Sequence, residues 1–378
     1  MKIMLINTLY YPNKVGGAEV SVQLLAEELV KAGHSVSVLT LHDGKNRKVD
    51  KINGVDVVYL PLRNLYWPFS TEIHGRIKKL LWHVIDNYNF AMARSIGPEL
   101  AHFAPDIVHT NNISGFSVAI WRVIKKYGAK LVHTSRDYYL FHPNSTMYSS
   151  SGDISPKSPV VKLWSLIKRH ASNQVDVYVG ISKFIKYFHQ ENGFFANAKS
   201  DYIYNPVENV LFNKTKSKTI RVGFIGRLTR DKGFDEFCHY VTRLKSTNPE
   251  VQGIAAGRFN SGEEQYALEK LAADSDVVIL GFVSLNVFLS SVDVVVLPVQ
   301  WREPFGRVIV ECVFAEKLVL TNAAGGVSEL AVMLPNVQII DNSTVNLSEI
   351  RLAPVKQEII ELFSRRTIAK LYSDVYNS

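Results

Sequence analysis

Short apolar runs alternate with longer stretches of helical periodicity along almost the whole chain, and the alternation starts afresh past its midpoint. The runs lie at residues 2–8, 35–40, 55–60, 106–110, 130–134, 175–180 and 201–204, and then at 219–225, 251–256, 277–280, 293–298, 317–321 and 337–340. Helical patterns separate most of them, such as 18–32, which Gly33 ends. Strands alternating with helices predict parallel sheets covered by helices on both faces. The pattern restarts after the polar, Pro-containing segment 205–218, so the boundary between two doubly wound α/β domains is placed there. The expected division is an N-terminal domain at 1–205, a C-terminal domain at 206–355 and a closing helix at 356–378 that packs back on the N-terminal domain. A length of 378 residues suits two cores better than one. In such domains ligands bind in crevices at the carboxyl ends of the strands. The stretch 144–158, rich in Ser, Pro and Gly, reads as a mobile loop.

Several classes of protein are disfavoured by what the chain contains. Cys238 and Cys312 are far apart in sequence, each in an apolar context, and read as reduced core residues without metal-ligand spacing. The opening M-K-I-M-L-I-N-T is too short for the apolar core of a signal peptide and reads as a first strand. No window has the length of a membrane span. These readings place the protein in the cytoplasm, with the inner face of the membrane as a candidate site of action. The charge is uneven: residues 1–210 carry 24 Lys and Arg against 16 Asp and Glu, and the remaining residues carry 19 of each. The whole excess of +8 lies in the first half and points either to an anionic partner or simply to solubility. Nucleic-acid binding would account for the charge, but no recognised nucleic-acid motif is present.

Four motifs follow strands. The first, N-K-V-G-G-A-E at 13–19, puts Gly16 and Gly17 before a helix whose free N–H groups can face an anion; an ordinary strand-to-helix turn is the alternative. The second, F-I-G-R-L-T-R-D-K-G-F-D at 224–235, sets Arg227 at a strand end and Lys232 five residues later, a diphosphate clamp or a basic surface turn. The third, E-P-F-G-R-V-I-V-E at 303–311, brackets a Phe-Gly turn with Glu303 and Glu311. Two such acids can accept hydrogen bonds from sugar hydroxyls; paired acids also suggest glycoside hydrolysis, but this spacing does not set their separation. The fourth, A-A-G-G-V-S-E-L at 323–330, is a second close-approach turn.

Taken in order, G-G-A-E, G-R-L-T-R-D-K-G, L-G-F-V with D-V-V-V-L-P, E-P-F-G-R-V-I-V-E and G-G-V-S-E resemble the retaining nucleotide-sugar glycosyltransferases of family four, over nearly the whole chain. The resemblance implies the GT-B fold, two Rossmann-like domains facing across a cleft. It also implies a nucleotide-diphosphate-sugar donor on the C-terminal domain and a glycan or lipid-linked glycan acceptor on the N-terminal one. Carried over by motif, Arg227 and Lys232 bind the donor diphosphate, Glu311 holds the ribose hydroxyls and Glu303 contacts the transferred sugar. Backbone groups around Phe305, Gly306 and Arg307 help hold sugar and phosphate. Gly16 and Gly17 approach the diphosphate, and Gly257, Arg258, Phe282 and Val283 line the base. The chain departs from the family at Arg136-Asp137, where many relatives have His-Asp. An arginine stays protonated and cannot be a base, so Arg136 is read as a ligand for an acceptor phosphate or a phosphoryl oxygen. His109 is the alternative histidine on the acceptor side, or else a structural one. The class implies front-face transfer without metal or cofactor, the diphosphate charge being met by cations and N–H dipoles. Asp274-Ser275-Asp276 is read as a chance match to a metal motif.

The segment 63–85 gathers Tyr66, Trp67, Phe69 and Trp82 beside Arg63, Arg76, Lys78 and Lys79. Aromatics with cations suit an anionic lipid surface; a core-packing helix with a solvated basic face is the alternative. Two other functions stay open at this level: a nucleotide-sugar epimerase of the same fold, and a non-catalytic sugar-nucleotide binding protein.

Overall fold

The computed structural model describes residues 1–378 except 14, 15, 71, 209, 211, 214–218, 261 and 341–351, so the boundary segment 205–218 lies partly outside the described residues. In chain order the elements are β1 (Lys2–Ile6), α1 (Gly17–Lys31), β2 (Ser35–His42), β3 (Lys48–Ile52), β4 (Val55–Pro61), α2 (Arg76–Asn87), α3 (Phe90–Phe103), β5 (Ile107–Thr110), α4 (Ala119–Tyr127) and β6 (Lys130–Ser135). There follow β7 (Tyr148–Ser149), β8 (Gly152–Asp153), α5 (Pro159–Ser172), β9 (Val177–Gly180), α6 (Lys183–Glu191), β10 (Lys199–Tyr202), β11 (Arg221–Ile225), α7 (Phe234–Thr247), β12 (Gln252–Ala256) and α8 (Glu263–Asp274). The chain closes with β13 (Val277–Gly281), α9 (Leu285–Ser291), β14 (Val294–Leu297), α10 (Arg307–Phe314), β15 (Leu318–Thr321), α11 (Val327–Met333), β16 (Val337–Ile339), α12 (Gln357–Leu362) and α13 (Arg365–Asn377). The chain divides into two compact units. One comprises Met1–Met147, Ile154–Pro206 and Ser364–Ser378, and the other Tyr148–Asp153 and Val207–Phe363.

The first unit is built on an eight-stranded sheet of order β10-β9-β6-β5-β1-β2-β4-β3. All its pairings are parallel except β3 with β4. Strands buried on both faces need continuous apolar sequence, and β1, β2, β5 and β9 are buried at almost every position. Edge strand β3 escapes the apolar-run criterion because four of its five residues are exposed. The Asn53-Gly54 dipeptide that joins it to β4 is a hairpin signal that could have revealed it. Tyr178 stacks on Phe195 at 3.9 Å, and Phe195 in turn on His133 at 5.5 Å.

Helix α13 is part of this unit. Its Tyr372 and Tyr376 are buried, and Lys130 Nζ donates to the carbonyls of Val375 and Tyr376 at 2.9 and 3.0 Å, closing the helix C-terminus with a cation.

The second unit carries a six-stranded, wholly parallel sheet of order β13-β12-β11-β14-β15-β16. Phe224 packs on Phe234 and Phe237 of α7 in its core, and both cysteines are buried and unbonded to each other. The stretch 144–158, expected as a mobile loop, instead contains the antiparallel β7–β8 hairpin and the cap of α5, where Ser158 Oγ accepts from the Val161 N–H. The hairpin belongs to the second unit, where Asp153 stands 3.2 Å from Arg302.

Candidate active site

In the six-stranded sheet of the second unit all strands run the same way, so every loop that leaves a carboxyl end emerges on one edge of that sheet. Strand order reverses between β11 and β14, and the loops after these two strands are the ones a ligand meets at such a point. They press directly on each other. A Cβ at Gly233, which has φ +79°, would lie 1.9 Å from the Pro298 carbonyl oxygen, and the Gln300 N–H donates to the Asp231 carbonyl at 3.1 Å. A third loop locks on from β15. A Cβ at Gly325 (φ +67°) would lie 2.5 Å from the Glu303 carbonyl oxygen, and Gly326 N–H donates to that same oxygen at 2.7 Å. The fourth motif thus holds the third by backbone contact.

This packing brings Lys232 and Glu303, 71 residues apart, into one ion pair: Lys232 Nζ donates to Glu303 Oε2 at 2.6 Å and lies 4.7 Å from the centre of the Trp301 ring. Arg227 pairs with Asp231 at 2.6 Å. On α10, which Gly306 caps, Arg307 stands 2.8 Å from Glu311, and both side chains are largely buried. Burial pushes the Glu311 carboxyl above its ordinary value, and the Arg307 charge opposes that shift. Each cation expected to face a phosphate is therefore held by a neighbouring carboxylate. Phe305 is a core residue whose ring lies 6.0 Å from that of Phe363. Gly257 lets the loop after β12 lie on the Gly226 carbonyl. The next residue, Arg258, covers the ring of Phe282 at 4.8 Å, although Phe282 remains 75% exposed; Val283 beside it is half-buried. Trp301, Arg302 and Asp231 were not singled out from sequence; only their closeness to Glu303 and Lys232 in the chain could have flagged them.

The first unit presents a different picture. Arg136 is buried, its Nε donating to Asn111 Oδ1 at 2.9 Å and its Nη1 to Asn205 Oδ1, so it ties together loops that follow β5, β6 and β10. Asp137 accepts from the Tyr139 N–H at 2.8 Å, and burial lifts its carboxyl to about 6 against the pull of Lys168 and Arg136. His109 is corrected from acceptor-side candidate to core residue. It is 0% exposed, and its two ring nitrogens lie 2.8 and 2.7 Å from the hydroxyls of Tyr376 and Thr134. Burial and the Arg136 charge hold it well below the usual histidine range. At the head of α1, the Gly16 N–H donates to Glu19 Oε2 at 2.8 Å. This is the glutamate arm of a capping box, so the Glu of G-G-A-E serves its own helix; Lys14 and Val15 lie outside the described residues. Lys168 of α5, unremarked in sequence, is buried beside two acids, Asp86 and Asp137.

Among the described residues no group of three or more His, Cys, Asp or Glu could hold a metal ion, and no helix is long and apolar enough to cross a membrane. Asp276 of the D-x-D match is fully exposed just past α8 and hydrogen-bonds Lys245.

Two mainly parallel sheets flanked by helices, with charged loops at the carboxyl edge of the second, are the architecture of the GT-B fold. Residues 15–209 match the family described as Glycosyltransferase Family 4, and residues 208–346 match Glycosyl transferases group 1. The chain belongs to glycosyltransferase family 4. A Klebsiella pneumoniae protein, described as an uncharacterised 42.6 kDa protein in the cps region, is 46% identical over the full length of both chains. Among solved structures, a sucrose-phosphate synthase of Thermosynechococcus elongatus superposes with TM-score 0.73 at 17% identity, covering all of this chain and 98% of that one. The Anabaena protein HepE, in complex with UDP and glucose, superposes with TM-score 0.68 at 19% identity over the whole of both.

Proposed function

We propose that this glycosyltransferase moves a sugar from a nucleotide-diphosphate sugar to a hydroxyl acceptor, with retention of anomeric configuration, in the assembly of a cell-surface polysaccharide or glycolipid at the cytoplasmic face. The observation that carries the reading is the Lys232–Glu303 pair at the strand-order reversal of the second unit. When the diphosphate arrives, Lys232 passes from Glu303 to the phosphate oxygens, and Arg227 passes likewise from Asp231. Glu303 is thereby released to accept a hydroxyl of the transferred sugar. Glu311 accepts from the ribose hydroxyls, and the Arg258–Phe282 pair stacks on the base, because an exposed aromatic ring under a guanidinium is a ready platform. The acceptor hydroxyl attacks the anomeric carbon from the leaving-group side. The C–O bond to the diphosphate breaks as the new C–O bond forms, and the departing diphosphate takes the hydroxyl proton. Catalysis then consists of preorganised charge for the leaving group, and no metal is required. In the first unit, Arg136 and the head of α1 at Gly16 and Gly17 serve anionic groups of the substrates. The HepE complex with UDP and glucose supports a nucleotide-sugar donor, and the cps-region relative supports a polysaccharide product.

The test is calorimetry with UDP, GDP and ADP, followed by turnover of the matching nucleotide sugars with and without EDTA. One nucleotide should bind, and Lys232→Ala should weaken it about 10- to 100-fold, the loss expected of a charge-assisted contact. Activity should survive chelation. No nucleotide binding, or equal binding by a folded Lys232→Ala protein, overturns the donor site. Conversion of the donor without any acceptor would favour an epimerase, and binding without conversion a non-catalytic protein.

A further inference from the structure

Two neighbouring helices of the first unit bury a charge each and leave aliphatic side chains exposed. On α2, Trp82 and Asp86, one turn apart, face the protein and are buried, whereas Ile77, Leu80, Leu81 and Val84 share the opposite face and are exposed, Ile77 at 76%. On α5, Val161, Ser165 and Lys168 face inward, and Leu163, Leu166 and Ile167 face outward, Leu163 at 73%. The helices lie side by side, with the rings of His83 and Trp164 6.5 Å apart. Their inward charges belong together, since Lys168 pulls the buried Asp86 carboxyl down against its desolvation. A surface helix selected for solubility alone would put its aliphatic residues inward and its ions outward. Here each helix buries one charge, Asp86 or Lys168, and leaves its outward aliphatic side chains exposed together with its cations.

The exposed charge on the two helices themselves has one sign. Arg76, Lys78 and Lys79 of α2 and Lys162 of α5 are exposed, Arg76, Lys78 and Lys162 along the flanks of the aliphatic face, and neither helix has an exposed acid: the one acid of α2 is the buried Asp86, and α5 has none. Aliphatic side chains facing out between lysines match a surface that is anionic at its headgroups and apolar beneath them. At 12 and 14 residues the helices are too short to span a bilayer, so they would lie along it. Of the aromatics singled out in the sequence, Phe69 is 44% exposed, but Trp82 and Tyr66 are engaged by the protein. Trp82 is 2% exposed with Nε1 donating to the Tyr66 carbonyl at 3.0 Å, and Tyr66 packs on His74. We infer that the outward faces of α2 and α5 together form a docking surface for an anionic lipid bilayer, held by insertion of aliphatic side chains as well as by charge. The inference deepens the acceptor side of the proposed reaction without depending on it, because vesicle binding is read without donor or acceptor.

The test is flotation of the full-length protein with phosphatidylcholine vesicles, with and without phosphatidylglycerol. The protein should float with the phosphatidylglycerol vesicles, and added salt should weaken the association but leave a resistant fraction. The double variant Leu80→Glu, Leu163→Glu should partition about tenfold or more less well. Both positions are exposed, so its thermal unfolding and its nucleotide binding in the other unit should match the wild type. Failure to float with phosphatidylglycerol vesicles at low salt overturns the inference. So does unchanged flotation of the double variant, which would make the attraction purely electrostatic. A wild-type dimer that the same substitutions dissociate would also overturn it, since the face would then be covered by protein.

Discussion

A carboxylate that already holds a lysine competes with any phosphate for it. For Glu303 this gives an asymmetric expectation. Glu303→Gln removes the competitor at Lys232, so nucleotide affinity should stay level or rise a few-fold, while turnover should fall about 100-fold or more because the sugar loses its charged acceptor. Calorimetry with the bare nucleotide and initial rates with the sugar donor separate the two; an affinity loss equal to the rate loss would contradict the sugar role. Lys168 poses the opposite problem, a cation buried to serve two acids. Burial raises Asp86 and Asp137 to about 6 even with Lys168 present, so the stability these carboxyls confer is fully present below the ordinary carboxylate pKa and is lost as pH rises through about 6. Lys168→Met removes their counter-charge, pushes both higher and should cost about 3–5 kcal/mol at pH 8. At pH 5 the loss should be clearly smaller, because the carboxyls are then largely protonated. The lysine's own desolvation, which lowers it to about 8, is relieved in the variant and offsets part of the cost below that pH. Urea unfolding at the two pH values measures the difference, and an equal loss at both would show that packing, not charge, is what Lys168 provides.

At the scale of elements, the site depends on how closely loops from different strands can approach. Gly233 joins the β11 loop to α7 at a positive φ, and the atom an added methyl would strike is a backbone oxygen of the β14 loop, which cannot rotate away. Gly233→Ala therefore combines left-handed strain with a steric clash and should cost about 2–4 kcal/mol. It should also separate Lys232 from Glu303, so nucleotide affinity should fall in the protein that still folds. Calorimetric unfolding and nucleotide titration of the same sample check both; an unchanged melting temperature would mean that the two loops are not in contact. Gly33 makes a useful control. It too has positive φ, but an added methyl meets nothing within 4 Å, so Gly33→Ala should show the backbone strain without the clash.

At the scale of the molecule, the chain passes from one unit to the other four times, and its last fifteen residues return to the first. That return is structural. Tyr372 and Tyr376 supply hydroxyls to Thr134 and His109 inside the first unit, and Lys130 closes the helix that carries them. A chain ending at Phe363 would leave buried polar groups unpartnered, each costing about 1–3 kcal/mol, and would open the aromatic core. Its first unit should melt at least several degrees lower. Nucleotide binding should persist, because the loops of the second unit are positioned by that unit's own sheet. Differential scanning calorimetry with and without nucleotide distinguishes the two effects, and an unaltered first transition would show that α13 is dispensable.

By itself the sequence determined the two parallel sheets, since strands buried on both faces must be written as apolar runs, and such runs are visible without neighbours. It also determined that the charged motifs sit at strand ends, because strand and motif are contiguous in the chain. It did not reveal β3, whose side chains are mostly solvated, nor that the β7–β8 hairpin would join the second unit. That Lys232 meets Glu303, that His109 is a core residue held by a tyrosine 267 positions away, and that Arg136 is tied to two asparagines are facts of packing. Periodicity shows that α2 and α5 have an apolar and a polar side, but not which side is buried. Asp86 and Lys168 turn inward because each offsets the other's desolvation, and that compensation exists only once two residues 82 positions apart in sequence are brought together by their helices.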